Sequence, residues 1–377
     1  MKIAIRLLSC AVPLFALVCA QAAPREWIPQ SDAEVVERLP ERIRVPAASP
    51  EAAAQAARRW IALARTTADP RYLGRAQAAL APWWDRPNAP AELAVLQATV
   101  QQSRHEFGAA RNTLKAALTR EPALAQGWLT MATLERLSGR YDDAEQACEK
   151  VRLAGAALYA GACLLETRSL RGEFDQARLG FEALARQSRD ASVRAWLLSL
   201  LAESEERAGR DAAAKAAYEA SLRLAPDGYT ALAFADLLLR QSQPADALDV
   251  LAGQPASDSV LIRQAKALKL RGDARWKTVA GEIAERFAAL DARGEDSALH
   301  ARERALAALW LDDAPGAAWP YAAANIELQK EPFDWWLAFT AAQSGGRGPD
   351  VDRLRSALQT TGLKDARLAR WQPAQKP

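Results

Sequence analysis

The chain is short of the side chains that do most protein chemistry. It has only two histidines, His105 and His300, far apart in sequence. No His-Glu-x-x-His pair, glycine-rich phosphate loop or ordered Ser/His/Asp set is visible. Two such isolated histidines are expected at the surface rather than in a catalytic site. The carboxylate pairs Asp142-Asp143, Glu205-Glu206 and Asp312-Asp313 are expected as helix starts or solvated faces. No catalytic residue, metal ligand set or cofactor is therefore assigned. Concentrated charge is missing too. The formal net charge is only +3, with no basic tail or block, which argues against nucleic acid as a partner.

Long apolar runs are also missing, with one exception at the start. Lys2 and Arg6 precede an apolar stretch from Leu7 to Ala20, followed by Ala20-Gln21-Ala22. A positive start, a short apolar run and small residues at the −3 and −1 positions form a secretory signal peptide, here cleaved after Ala22. The run is too short for a comfortable membrane span, and no later segment approaches ~18 apolar residues. The mature protein is expected to be exported and free of transmembrane segments, periplasmic if the host has two membranes and secreted otherwise. Removing residues 1–22 takes Lys2 and Arg6 away and leaves 47 basic against 46 acidic residues. Of four cysteines, Cys10 and Cys19 fall in the signal, so Cys148 and Cys163 alone enter an oxidising compartment.

What the chain does have is periodicity. Residues 23–48 form a short N-terminal capping segment in which Ser31 and Glu34 make a capping box ahead of Val35, Val36 and Leu39, and Pro40 ends the helix. Ser49-Pro50 then opens another helix as N-cap and first helical residue. From there an alanine shortly after a turn, with a large residue four later, recurs at Ala76, Ala110, Ala144, Ala177, Ala214 and Ala247, at intervals of 34, 34, 33, 37 and 33 residues. Self-similarity at such a period marks a helical solenoid. The stretch Ser138-Gly-Arg-Tyr-Asp-Asp-Ala144 shows the device: Gly139 ends one helix, the two aspartates start the next, and Ala144 lets the helices lie close. Pro122, Pro226 and Pro332 close second helices at matching phase.

The pattern resembles the tetratricopeptide repeat. Trp60, Trp128 and Leu198 stand at the large fourth position of helix A. Ala64, Ala98, Ala132 and Ala202 stand at the small eighth, and Ala117 and Ser221 at the small position late in helix B. The resemblance implies an all-α, right-handed α-α superhelix of about eight to nine helix pairs. It is strong over 49–255 and more divergent over 256–365, where Trp276 replaces a small residue and helix B lengthens. A polar tail, 366–377, would follow as an end cap.

In this family the A helices line the concave wall. Their second position gives Tyr159, Trp196 and Tyr229, an aromatic ladder, whereas Trp60 and Trp128 fall on core positions. Their ninth gives Thr99, Thr133, Glu166, Glu203 and Asp236, with Glu206 one turn beyond Glu203. The central groove should be acidic, flanked by Lys266, Lys269 and Arg302 on one side and Arg58 and Arg65 on the other. The lysine of the family's carboxylate-gripping clamp is missing at Leu129, Ala162, Ser199 and Leu232. A protein or extended peptide of neutral or basic character is the expected partner, on Arg136, Tyr159, Glu166, Trp196, Glu203, Glu206, Tyr229 and Asp236. A glycan or cell-envelope polymer stacked on the aromatics is the alternative, and an enzyme with an unrecognised site is a more distant one. Cys148 and Cys163 lie seven residues either side of the turn centred on Gly155-Ala156, level with each other in an antiparallel hairpin. They form either a structural disulfide or two small buried hydrophobes.

Overall fold

Pro50 sits at the first helical position, where its missing N–H is no loss, and Ala52 donates its backbone N–H to the Ser49 hydroxyl. The computed structural model that begins here describes residues 49–67, 69–294 and 297–372. The signal-like stretch 1–22 and the 23–48 capping segment with Ser31, Glu34 and Pro40 lie outside the described residues.

Eighteen α-helices follow among the described residues, paired in chain order. The first pairs are α1 (Pro50–Thr67) with α2 (Arg71–Leu80), α3 (Ala91–Ser103) with α4 (Phe107–Arg120), and α5 (Ala125–Leu137) with α6 (Tyr141–Leu153). The middle ones are α7 (Ala157–Leu170) with α8 (Phe174–Gln187), α9 (Ala191–Arg207) with α10 (Asp211–Leu224), and α11 (Gly228–Arg240) with α12 (Pro244–Leu251). The last are α13 (Asp258–Leu270) with α14 (Trp276–Ala292), α15 (Ala301–Trp310) with α16 (Pro315–Leu328), and α17 (Pro332–Ser344) with α18 (Gly348–Thr361). Each odd helix packs on its partner and on the next odd helix, the arrangement of an all-α solenoid.

The six recurring alanines explain the stacking. Ala76, Ala110, Ala144, Ala177, Ala214 and Ala247 are all buried, as are Ala98, Ala132 and Ala202 on the facing helices. Methyl groups on both sides bring helix axes close, and the large residue four later fills the next layer: Leu114, Cys148, Phe181, Tyr218 and Leu251 are fully buried. Ser221 satisfies its hydroxyl on the Ala195 carbonyl at 2.7 Å. The divergent pair does carry a longer second helix, with 17 residues in α14 against 14 in α10.

The A-to-B turns share one hydrogen bond. The N–H after the turn donates to a carbonyl five residues back: Arg140 to Glu135, Glu173 to Arg168, Arg210 to Glu205 and Gln243 to Leu238. The residue before that donor must be left-handed. Glycine fills the place at 139, 172 and 209, but His105 and Ser242 fill it in their own turns, at φ of 60° and 57°. His105 is accordingly not the solvated surface residue the sequence suggested. Its ring is half-buried against Phe107, Nδ1 has no hydrogen-bond partner, and burial holds its pKa below the usual value.

The C-terminal repeats return to the middle of the array. Lys330 donates its backbone N–H to the Leu137 carbonyl at 2.7 Å, and Lys364 does the same to Leu170 at 2.8 Å. Tyr141 and Leu170 join a core with Trp335, Phe339, Leu358, Leu368 and Trp371. Thr361, Lys364 and Ala366 lie directly over the turn glycines 139, 172 and 209, where an added Cβ would sit 3.1, 3.1 and 3.0 Å from them. The expected polar tail is therefore corrected: Ala366–Trp371 is a 3₁₀ helix, Leu368 and Trp371 are buried, and the Trp371 ring stacks on Phe339 at 4.7 Å. The apolar residues at 368 and 371 lie three apart, one 3₁₀ turn, and so share a face.

Candidate binding groove

The A helices carry the expected groove residues on one side, but their neighbours change what those residues offer. Glu166 on α7 pairs with Arg136 on α5 at 2.9 Å. Asp236 on α11 is held by two guanidinium nitrogens of Arg263 on α13, Nη2 at 2.7 Å and Nε at 2.8 Å. Glu206 on α9 is only 4% exposed, accepting from the Tyr218 hydroxyl at 3.1 Å, Arg240 of α11 at 3.3 Å and Arg367 at 3.0 Å. Glu203 pairs with Arg207 of its own helix at 3.5 Å, and Arg207 is anchored on Ser169 of α7.

This corrects two expectations. The central groove is not an acidic strip, because stacking lays an arginine of one A helix beside a carboxylate of another. Nor are Glu205 and Glu206 a solvated pair: both are buried, and Glu205 meets Arg210 at 3.1 Å. The flanking cations are mostly committed as well. Arg58 pairs with Glu92, and Arg302 with Asp334 and Glu331. Lys269 donates to the Trp310 and Leu311 carbonyls and to Asp313.

The groove is also not open along its length. The loop between α16 and α17 enters it, fixed by buried Asp334, which accepts from Arg302, from Asn325 and from the Glu331 backbone N–H. Lys330, Glu331 and Pro332 close one side of a cavity of about 70 Å³ lined by Arg136, Glu166, Glu203, Arg207 and Tyr229. Glu203 is the unsettled member. Its Oε1 is buried without a hydrogen-bond partner, and loss of water pushes its carboxyl up to about 7, with the Glu166 and Glu331 charges adding to the rise and Arg207 opposing it. The Glu203 charge in turn holds the Tyr229 hydroxyl above its ordinary pKa.

The aromatic ladder becomes a pair and a single ring. Tyr159 and Trp196, on neighbouring A helices, are in ring contact at 5.7 Å and remain 41% and 36% exposed. Tyr229 is 59% exposed and lies by Glu203. The structure links Cys148 on α6 and Cys163 on α7 in a disulfide, Cα atoms 5.5 Å apart, with the Thr167 hydroxyl 3.9 Å from the Cys148 sulfur. Arg207, Arg240, Arg263 and Arg367, which balance the groove acids, were missed from sequence. The first three have a signal, arginine recurring on the A helices, but which acid each meets depends on the stacking. Arg367 has none.

No family model and no curated protein sequence matches the chain. Among solved structures, the human IFIT1 dimer with PPP-AAAA is similar at 11% identity and a TM-score of 0.50, over 83% of this chain and 73% of that one. The Rap protein complexed with Competence and Sporulation Factor gives 9% identity and 0.47, over 85% and 81%. The P58(IPK) TPR domain gives 15% identity and 0.26, over 86% and 96%. The fold is that of a tetratricopeptide-like repeat. Within this tetratricopeptide-like array no helix among the described residues is long and apolar enough to cross a membrane, and no group of three or more His, Cys, Asp or Glu is placed to hold a metal ion.

Proposed function

We propose that the protein is a non-catalytic, exported scaffold that binds a protein or extended peptide segment on its A-helix wall. The observation that carries this is the Tyr159–Trp196 pair: two large rings from successive repeats, in contact and open to solvent. Exposed aromatics at a rigid surface are the residues that dominate protein interfaces. With its acids paired to arginines, the wall selects a partner by shape and apolar contact more than by positive charge.

The Cys148–Cys163 link supports export, since such bonds persist in oxidising compartments. Cleavage after Ala22 and a periplasmic or secreted location belong to the same proposal. Stacking of a sugar on Trp196 is the second possibility, favoured by the tilt of 37° between the two rings, which opens a wedge-shaped aromatic surface.

Crosslinking in intact cells tests the proposal, using tagged protein expressed from its own leader and a photoreactive residue at exposed position 192, one helical turn before Trp196. A single protein crosslinked in the parent and lost with Trp196→Ala supports a scaffold working through this pair. Capture of envelope glycan alone, or of the same partner by parent and variant, rejects it.

A further inference from the structure

A second cavity, to which neither Tyr159 nor Trp196 contributes, is lined by residues of α9, α11, α13, α15, α17 and the Ala366–Trp371 turn. Its volume is about 210 Å³. Trp310, Phe333 and Trp336 form an aromatic wall, with ring centroids 5.3 to 6.4 Å apart, and Leu239 adds an aliphatic side. All three rings are half-buried, and the Arg263 guanidinium lies over the Phe333 ring at 5.8 Å.

The charged groups around this wall are unequal. Asp236 is held by Arg263, and Glu206 by Arg240 and Arg367, which are themselves bound to Asp211 and Asp365. Lys266 stands apart: among the described residues its ammonium has no hydrogen bond or ion pair, though the side chain is half-buried and lines the cavity. Burial and the nearby Lys269 disfavour that charge, and Asp313, which is bound to Lys269, offsets them only in part. Buried charges are ordinarily paired, so a half-buried ammonium with no direct ion pair beside an aromatic wall is suited to take an anion.

From this juxtaposition we infer that the cavity binds an organic carboxylate carrying one aromatic or similarly sized apolar group. The ring lies on Trp310, Phe333 and Trp336, and the carboxylate meets Lys266. The volume is below the ~300–1,000 Å³ of sites for drug-sized ligands, so one ring fits rather than several. Arg240 and Arg367 also line the cavity, but both are committed to carboxylates, so Lys266 alone is left to offer a ligand one point charge. A monoanion therefore suits the site better than a phosphate ester. The carboxylate could belong to a free small acid or to the last residue of a peptide.

Titration calorimetry of the full chain at pH 7 decides this, with 3-phenylpropanoate, 3-phenylpropanol and 3-phenylpropylammonium as probes. The acid is expected to bind at least tenfold tighter than the alcohol or the amine. Lys266→Met should remove that preference while the thermal unfolding curve is kept, and Lys266→Arg should retain it. A tetrapeptide ending in phenylalanine, as free acid and as amide, separates the sources. Tighter binding of the peptide acid than of phenylpropanoate assigns the site to a chain end. Weaker binding of the peptide acid assigns it to a free small acid. Equal binding of acid, alcohol and amine, no binding of the acid, or an undiminished preference in Lys266→Met overturns the inference.

Discussion

Arg367, five residues from the last described one, donates to the buried carboxylate of Glu206, 161 residues earlier, at 3.0 Å. The same guanidinium is bound to Asp365 at 2.6 Å, so the turn that carries it is fixed to the contact it makes. This pair joins the end of the chain to the middle of the array. Breaking it leaves Glu206 with Arg240 and Tyr218 only. Arg367→Met should destabilise the protein by about 3 kcal/mol: Glu206 keeps two partners, but buried Asp365 loses the guanidinium that pairs with it. Urea unfolding measures it, and Glu206→Gln in the same chain should recover part of the loss. An Arg367→Met chain as stable as the parent would mean the C-terminal turn is held by its apolar residues alone.

Two turn positions should respond in opposite directions. Ser242 holds a left-handed φ of 57° without glycine's freedom, so Ser242→Gly should raise stability by about 0.5–1 kcal/mol, the relief of strain less glycine's extra chain entropy. Gly209 has φ of 74° and lies under Ala366, 3.0 Å from where a Cβ would be. Gly209→Ala should cost about 1–2 kcal/mol and also weaken the docking of Ala366–Trp371. Thermal unfolding reads both changes, and limited proteolysis near Trp371 reads the second.

Stability should depend on pH through Glu203. Its carboxyl is raised to about 7 in the folded protein, so the native state holds a proton that the unfolded chain gives up at lower pH. The folded form is favoured below the unfolded pKa, and that advantage is lost as pH rises through about 7. The loss is of the order of 3 kcal/mol. Glu203→Gln should lose less stability than the parent between pH 5 and pH 8. Parallel melting curves across that range would sink the assignment.

The Cys148–Cys163 link closes a loop of 15 residues. Replacing both cysteines with alanine should cost about 3 kcal/mol in the chain-entropy account. Denaturant unfolding with and without reductant measures this, and intact mass before reduction checks the bond itself. Two thiols that alkylate in the unreduced native protein would leave the pair as buried hydrophobes.

Much of the fold was legible because a repeat states the same requirement many times. Ala110, Ala144, Ala177 and Ala214 each mark a close helix contact, and four agreeing positions outweigh any single propensity. Gly139, Gly172 and Gly209 marked turns for the same reason. The groove was legible in part: the A-helix positions of Tyr159, Glu166, Trp196, Glu203, Tyr229 and Asp236 follow from the period. Their electrostatics did not, because charge balance depends on which side chains meet, and period says nothing about that. Glu206 looked like a groove acid and is buried under Arg240 and Arg367.

By itself, then, the sequence determined the helix pairs, their phase and the residues at each register position, since these depend on local capping and on alanine contacts between neighbours in the chain. Only the tertiary structure decided that the last repeat docks onto the turns at Gly139, Gly172 and Gly209, that arginines neutralise the groove, and that Lys266 has no direct ion pair among the described residues. Those outcomes depend on contacts between distant parts of the chain, such as Arg367 with Glu206, for which a nearest-neighbour period carries no signal.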